Sequence, residues 1–187
     1  MTSGNIKLRP ATVQDAPLLH YWDTKAHVIA CAPNETHNWI EEINNDNEWQ
    51  QHLIAELNGQ PIGVMQIIDP HNEVTHYWDD IEPNLRAIDI WIGEESHLAN
   101  GYGTEMMRQA IELCFALPAV TAIIIDPLSN NLRAINFYRK LGFLDWYEGD
   151  FEEDHCLGHA PGANWPLKLK RISAFTNLKK IGCGLEY

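Results

Sequence analysis

The chain has 187 residues, is 45% hydrophobic and carries 26 acidic against 13 basic side chains, a formal net charge of −13. That length suits one domain spanning 1–187 with a buried core. No stretch approaches the roughly 18–20 apolar residues of a membrane span, and the opening MTSGNIKLRP lacks an apolar signal core, so a cytoplasmic location is expected. The negative field repels nucleic acid and anionic membrane surfaces and attracts cations; since acidity also serves solubility, it gains functional meaning only beside a site.

Alternation over Ile6-Lys7-Leu8-Arg9 predicts a first strand, and Asp15 caps a helix with Leu18, Leu19 and Trp22 on one face. Trp39, Ile40 and Ile43 predict a short helix that breaks at Asn44-Asn45-Asp46. Strands over 49–57 and 61–68 are joined by Asn58-Gly59, a strong hairpin signal. A polar stretch over 70–85, with Pro70 and Pro83, reads as a long loop. Ala87 to Ile92 is a strand, and Gly101-Tyr102-Gly103 opens a helix whose apolar residues run from Met106 to Cys114. Val120 to Ile125 is a wholly apolar, buried strand, followed by a helix over Asn131–Leu141 that Gly142 ends. Strand-like segments near 143–151 and 165–170 close the domain, with a tail over 172–187. Antiparallel strands followed by βαβα predict an α/β (α+β) fold: a mixed, mostly antiparallel sheet with helices on both faces.

Cys31, Cys114, Cys156 and Cys183 have no paired spacing and read as free thiols, Cys114 as core packing. Asp154-His155-Cys156-Leu157-Gly158-His159 resembles a metal cluster but lacks a second pair at zinc-finger spacing, so no metal is expected.

A strand running into a Gly-rich turn and then a helix can hold phosphate, because the first helical N–H groups and the dipole end point at an anion. Leu98-Ala99-Asn100-Gly101-Tyr102-Gly103-Thr104 is such a turn; alone, it reads first as a simple tight turn. One strand later stands Asn131-Leu132-Arg133-Ala134-Ile135-Asn136-Phe137-Tyr138-Arg139-Lys140-Leu141-Gly142-Phe143. Together the two segments resemble the glycine loop and the N-x-x-A-x-x-x-Y-x-x-x-G-F signature of the GCN5-related N-acetyltransferases, the GNAT superfamily. Arg86-Ala87-Ile88-Asp89, Ile125-Asp126-Pro127 and Asn131 to Ile135 further resemble the aminoglycoside 6'-N-acetyltransferase branch, a pattern shared with siderophore-type hydroxamate acyltransferases.

The resemblance implies the GNAT fold, acetyl-CoA as cosubstrate, and direct transfer to a primary amine. It places the general base at Asp89 and the general acid at Tyr138, since an attacking amine must lose a proton and a departing thiolate must gain one. The backbone of Ile90, Trp91 and Ile92 would polarise the thioester carbonyl. The turn residues Leu98, Asn100, Gly101, Tyr102, Gly103 and Thr104, with Asn131 and Ala134, would bind the cofactor. Asp126 matches an acceptor-binding aspartate, beside its plain reading as a turn residue before Pro127. Asp79, Asp80 and Glu82 form either an acidic rim or a solvated run, and Trp22, Tyr77 and Trp78 either line the acceptor cleft or pack.

The pattern departs from the family in three places. Leu98 and Asn100 fill the stretch before the glycines and neither is basic, so phosphate binding falls mainly to backbone N–H groups. Ala30-Cys31-Ala32 replaces a tryptophan pair, and Glu73-Val74-Thr75 offers no clear match to an acceptor-binding aspartate. The acceptor expected is a small polycationic amine, aminoglycoside first, with hydroxamate, polyamine or protein-amine transfer and a non-catalytic CoA-binding module as rivals. A monomer or homodimer is expected.

Overall fold

The structure, a computed structural model, describes residues 5–33, 36–45, 47–78, 80–146 and 166–171. Asp79, the acidic stretch 150–154, the His-Cys run 154–159 and the tail 172–187 lie outside the described residues. In chain order the elements are β1 (Ile6–Pro10), α1 (Ala16–Asp23), α2 (Ala26–Ile29), α3 (Trp39–Asn44), β2 (Gln50–Leu57), β3 (Gln60–Ile68), β4 (Leu85–Ile92), α4 (Tyr102–Ala116), β5 (Ala122–Ile125), α5 (Leu132–Lys140), β6 (Leu144–Asp145) and β7 (Leu167–Lys170). Short 3₁₀ turns at Val13–Asp15 and Glu95–His97 precede α1 and α4. Strand order is β1-β2-β3-β4-β5-β7-β6. The β1–β2, β2–β3, β5–β7 and β6–β7 pairs are antiparallel and β4–β5 is parallel, so the sheet is mixed and mostly antiparallel, as predicted.

Residue contacts divide the chain into two compact units, 1–68 with 88–110 and 69–87 with 111–187. In the first, β2 and β3 turn at Asn58 (φ 52°) and Gly59 (φ 81°), the two left-handed residues that a tight hairpin requires. Leu19 and Trp22 of α1 and Trp39 of α3 are buried with Ile54 and Val64 of the strands, forming one apolar cluster. Asp15 does not cap α1 with its side chain. Its carboxylate reaches back to the Thr12 amide (2.8 Å) and takes both arms of the Arg9 guanidinium (2.8 and 2.7 Å), closing the 3₁₀ turn instead. The Arg9 bond holds that carboxyl below its usual range, against the opposing effect of burial. Helix α2 was not anticipated, because four residues carry too little periodicity to read.

In the second unit, β5 is buried at all four positions, as its unbroken apolar run requires. It pairs in parallel with Leu85–Ala87 of β4 and antiparallel with β7. Arg171 donates to the carbonyls of Phe115, at the end of α4, and Val120, in the connection before β5, both at 2.8 Å. Cys114 is buried, and burial pushes its thiol up to about 12, which suits packing rather than reactivity. Among the described residues no helix is long and apolar enough to cross a membrane, and no group of three or more His, Cys, Asp or Glu is placed to hold a metal.

Candidate active site

Asp89 lies on β4, half-buried, after the fully buried Ala87 and Ile88. The parallel ladder with β5 covers Leu85 to Ala87 and stops two residues short of it. Ile90, Trp91 and Ile92 therefore lie on a length of β4 that β5 does not pair, so their backbone groups are not consumed by that ladder. Beyond them the chain is pinned twice: the Gly93 amide donates to the Ile62 carbonyl at 2.9 Å, and the Ile92 carbonyl stands 2.8 Å from Nε2 of His27.

The turn after β4 is held by its own atoms. The Leu98 amide donates to the Glu95 carbonyl (3.0 Å), and the Asn100 side-chain amide donates to the carbonyls of Ser96 (3.0 Å) and Leu98 (3.1 Å). Ala99 (φ 61°) and Gly101 (φ 82°) take left-handed backbone, which glycine adopts freely and alanine does not. The amides of Thr104 and Glu105 bond back to the Gly101 carbonyl at 3.1 and 3.3 Å, starting α4. What remains is a run of five amides, Ala99, Asn100, Gly101, Tyr102 and Gly103, that donate to no acceptor among the described residues. Leu98 and Thr104, expected to contribute their amides, use them inside the turn. The side chain of Asn100 likewise braces the loop, while its backbone amide stays unengaged.

The remaining expected residues fall in the second unit. Asn131 caps α5: its side-chain oxygen accepts from the Ala134 amide at 3.1 Å, so that amide is also engaged. Tyr138 is 8% exposed, with its ring near those of Phe137 (5.1 Å) and Phe143 (5.9 Å). Gly142 (φ 96°) ends α5, and the Phe143 amide returns to the Tyr138 carbonyl at 3.2 Å, fixing the backbone that carries the phenol. Asp126 follows β5 and accepts a 2.5 Å hydrogen bond from the Tyr77 hydroxyl. Trp78 is 6% exposed, packed edge-on against Tyr77.

Trp22 is 1% exposed and belongs to the core of the first unit, its ring lying against Gly93. Of its two readings, packing describes the position. Sequence reasoning missed Glu73, a buried carboxylate that organises the loop carrying Tyr77, because Glu73-x-Thr75 in a polar stretch is an ordinary pattern.

A strand bearing a carboxylate, then a turn offering bare amides, then a long helix is an arrangement whose helix start can hold an anion. The chain belongs to the GNAT acetyltransferases: the acetyltransferase (GNAT) domain family matches residues 11–151. It is 31% identical over 151 residues to an aminoglycoside N(6')-acetyltransferase type 1 of Klebsiella pneumoniae, covering 76% of this chain and 75% of that protein. A kanamycin resistance protein of Rhizobium radiobacter is 43% identical over 68 residues, 36% of this chain and 63% of that protein. Among solved structures, the aminoglycoside acetyltransferase AAC(6')-Ib in complex with coenzyme A and kanamycin superposes with a TM-score of 0.78 at 28% identity, covering 92% of this chain and 98% of that one.

Proposed function

We propose that this protein is an acetyl-CoA-dependent N-acetyltransferase acting on the 6'-amine of an aminoglycoside. The observation that carries the donor half is the run of five unengaged amides at 99–103, in the same unit as Asp89. Backbone donors in a left-handed turn at a helix start suit a diphosphate, and they need no basic side chain at Leu98 or Asn100. The acceptor half rests on the relatives named above and on a net charge of −13, which favours polycations.

The chemistry follows from what each residue can do. Asp89 accepts the proton that the acceptor ammonium must lose before its nitrogen attacks the thioester carbon. Backbone amides of Ile90 to Ile92, on the length of β4 that β5 leaves unpaired, donate to the carbonyl oxygen as it gains charge. The carbon–sulfur bond breaks, the nitrogen keeps the acetyl group, and the Tyr138 hydroxyl supplies a proton to the leaving thiolate. Asp126 pairs with a second ammonium of the acceptor and fixes which amine faces the thioester. One domain over 1–187, in the cytoplasm, is the setting for this reading.

Thiol release from acetyl-CoA, measured with kanamycin, spermidine and N6-hydroxylysine, tests it. Kanamycin as the preferred acceptor, with acetylation at the 6' position, supports the reading. Release with spermidine or N6-hydroxylysine alone replaces the acceptor, and tight acetyl-CoA binding without release for any amine replaces catalysis with a binding role.

A further inference from the structure

The loop between β3 and β4 is wound around a carboxylate. Glu73 is 7% exposed, and it accepts from the Thr75 amide (2.6 Å), the Thr75 hydroxyl (2.9 Å) and the Tyr77 amide (3.1 Å). Between the two tethered residues, His76 is forced to a φ of 53°, a left-handed conformation that a non-glycine residue adopts only when its surroundings hold it there. The result is a tight knuckle with the Tyr77 backbone tied to the Glu73 carboxylate. Its ring packs edge-on to Trp78 at 5.1 Å, and its hydroxyl donates to Oδ2 of Asp126 at 2.5 Å. All of these residues belong to one compact unit.

We infer that Tyr77 is a positioning residue for the acceptor, fixing the orientation of the Asp126 carboxylate, and that Glu73 fixes Tyr77 in turn. The inference rests on the reading of Asp126 as the acceptor anchor. An aspartate side chain on a strand end rotates about two torsions, and its oxygens sweep a wide arc unless something holds them. A phenol donating to Oδ2 sets the plane of the group while using one of about four lone-pair sites on the two oxygens. Charge-assisted O–H···O⁻ bonds are among the stronger hydrogen bonds, so the hold is firm. An oriented carboxylate discriminates between ammonium groups by direction, whereas a loose one only attracts positive charge. Tyr77 and Glu73 therefore act on acceptor register and affinity, not on the donor thioester.

The test is steady-state thiol release with kanamycin and acetyl-CoA, using the parent protein, Tyr77→Phe, Glu73→Gln, Asp126→Asn and the Tyr77→Phe/Asp126→Asn pair. Tyr77→Phe keeps the ring and removes only the donor; it raises the kanamycin KM about tenfold while kcat and the acetyl-CoA KM stay within about twofold. Glu73→Gln moves the kanamycin KM in the same direction and reports the linkage from its far end should Tyr77→Phe fold poorly. The double variant is no worse than Asp126→Asn alone, because the phenol acts through that carboxylate. An unchanged kanamycin KM in Tyr77→Phe, with a raised one in Asp126→Asn, ends the role of Tyr77 and leaves Asp126 as anchor. Additive effects in the double variant also overturn it. An unchanged KM in Asp126→Asn, or no thiol release from the parent with kanamycin, removes the anchor reading and this inference with it.

Discussion

The Trp22 indole lies so close over Gly93 that an ideal Cβ on residue 93 would stand 2.0 Å from Cε2 and 2.3 Å from Nε1. Neither partner has room to yield. Trp22 is 1% exposed within the cluster formed with Leu19, Trp39, Ile54 and Val64, and the Gly93 amide is tied to the Ile62 carbonyl at 2.9 Å. Gly93→Ala is therefore expected to destabilise the fold by about 1–3 kcal/mol through overpacking. Because Gly93 joins β4 to the amide-bearing turn, the acetyl-CoA KM should rise as well. Thermal unfolding and acetyl-CoA titration check both; a variant with unchanged Tm and KM would show that the contact is not tight in solution.

Asp89→Asn preserves size and removes the basicity of the side chain. If Asp89 takes the proton from the attacking amine, turnover falls about 10²–10⁴-fold, the range that general bases contribute. Acetyl-CoA affinity should hold if the unengaged amides at 99–103 bind the donor, since they are backbone groups that this substitution leaves in place. Turnover by thiol release and affinity by calorimetry separate the two effects. Parent-like turnover would show that the Asp89 carboxylate takes no proton from the amine.

Much of this arrangement was legible because it rests on local rules. Asn58-Gly59 gave the hairpin, the apolar run of 120–125 gave the buried strand, and Gly142 marked the end of α5. The glycine turn and the Asn131–Phe143 segment together gave the family, with the order and spacing of the two doing what neither does alone. Less legible was which atoms each residue offers. Leu98, Thr104 and Ala134 have their amides engaged within their own turns, a matter of hydrogen-bond closure that residue identity does not encode. Trp22 carries the same letters whether it lines a cleft or fills a core, and only its neighbours decide. The bond between Tyr77 and Asp126 joins residues 49 positions apart, beyond any local pattern.

Tyr138→Phe tests the acid. The tyrosine is 8% exposed and its ring packs near Phe137 and Phe143, contacts that phenylalanine keeps. Stability should stay close to the parent, while turnover falls about 10²-fold or more if the phenol protonates the thiolate. The loss should shrink with donors whose thiol leaving group is more acidic, since a better leaving group needs less help. A uniform loss across such donors would point to packing instead.

Acid stability depends on a cluster outside the proposed chemistry. Glu42 on α3 stands 3.3 Å from Nδ1 of His37 and 3.6 Å from Nε2 of His52, whose side chain is 6% exposed. Its carboxylate also takes the Asn38 amide at 2.8 Å, and the His37 ring stacks on Trp39 at 4.3 Å. Burial alone would raise the Glu42 carboxyl, but the two imidazoles and the amide outweigh it and hold the group at about 2, below the ordinary 4.5. A carboxyl depressed on folding binds its proton more weakly in the folded chain than in the unfolded one. Its contribution is complete above about 4.5 and is lost as pH falls from there towards about 2, where the folded group itself protonates. Glu42→Gln should lower the Tm at pH 5, with the gap to the parent narrowing steadily between pH 4.5 and 2. A gap that stays constant through the window would mean that Glu42 contributes by shape and hydrogen bonding alone, without its charge.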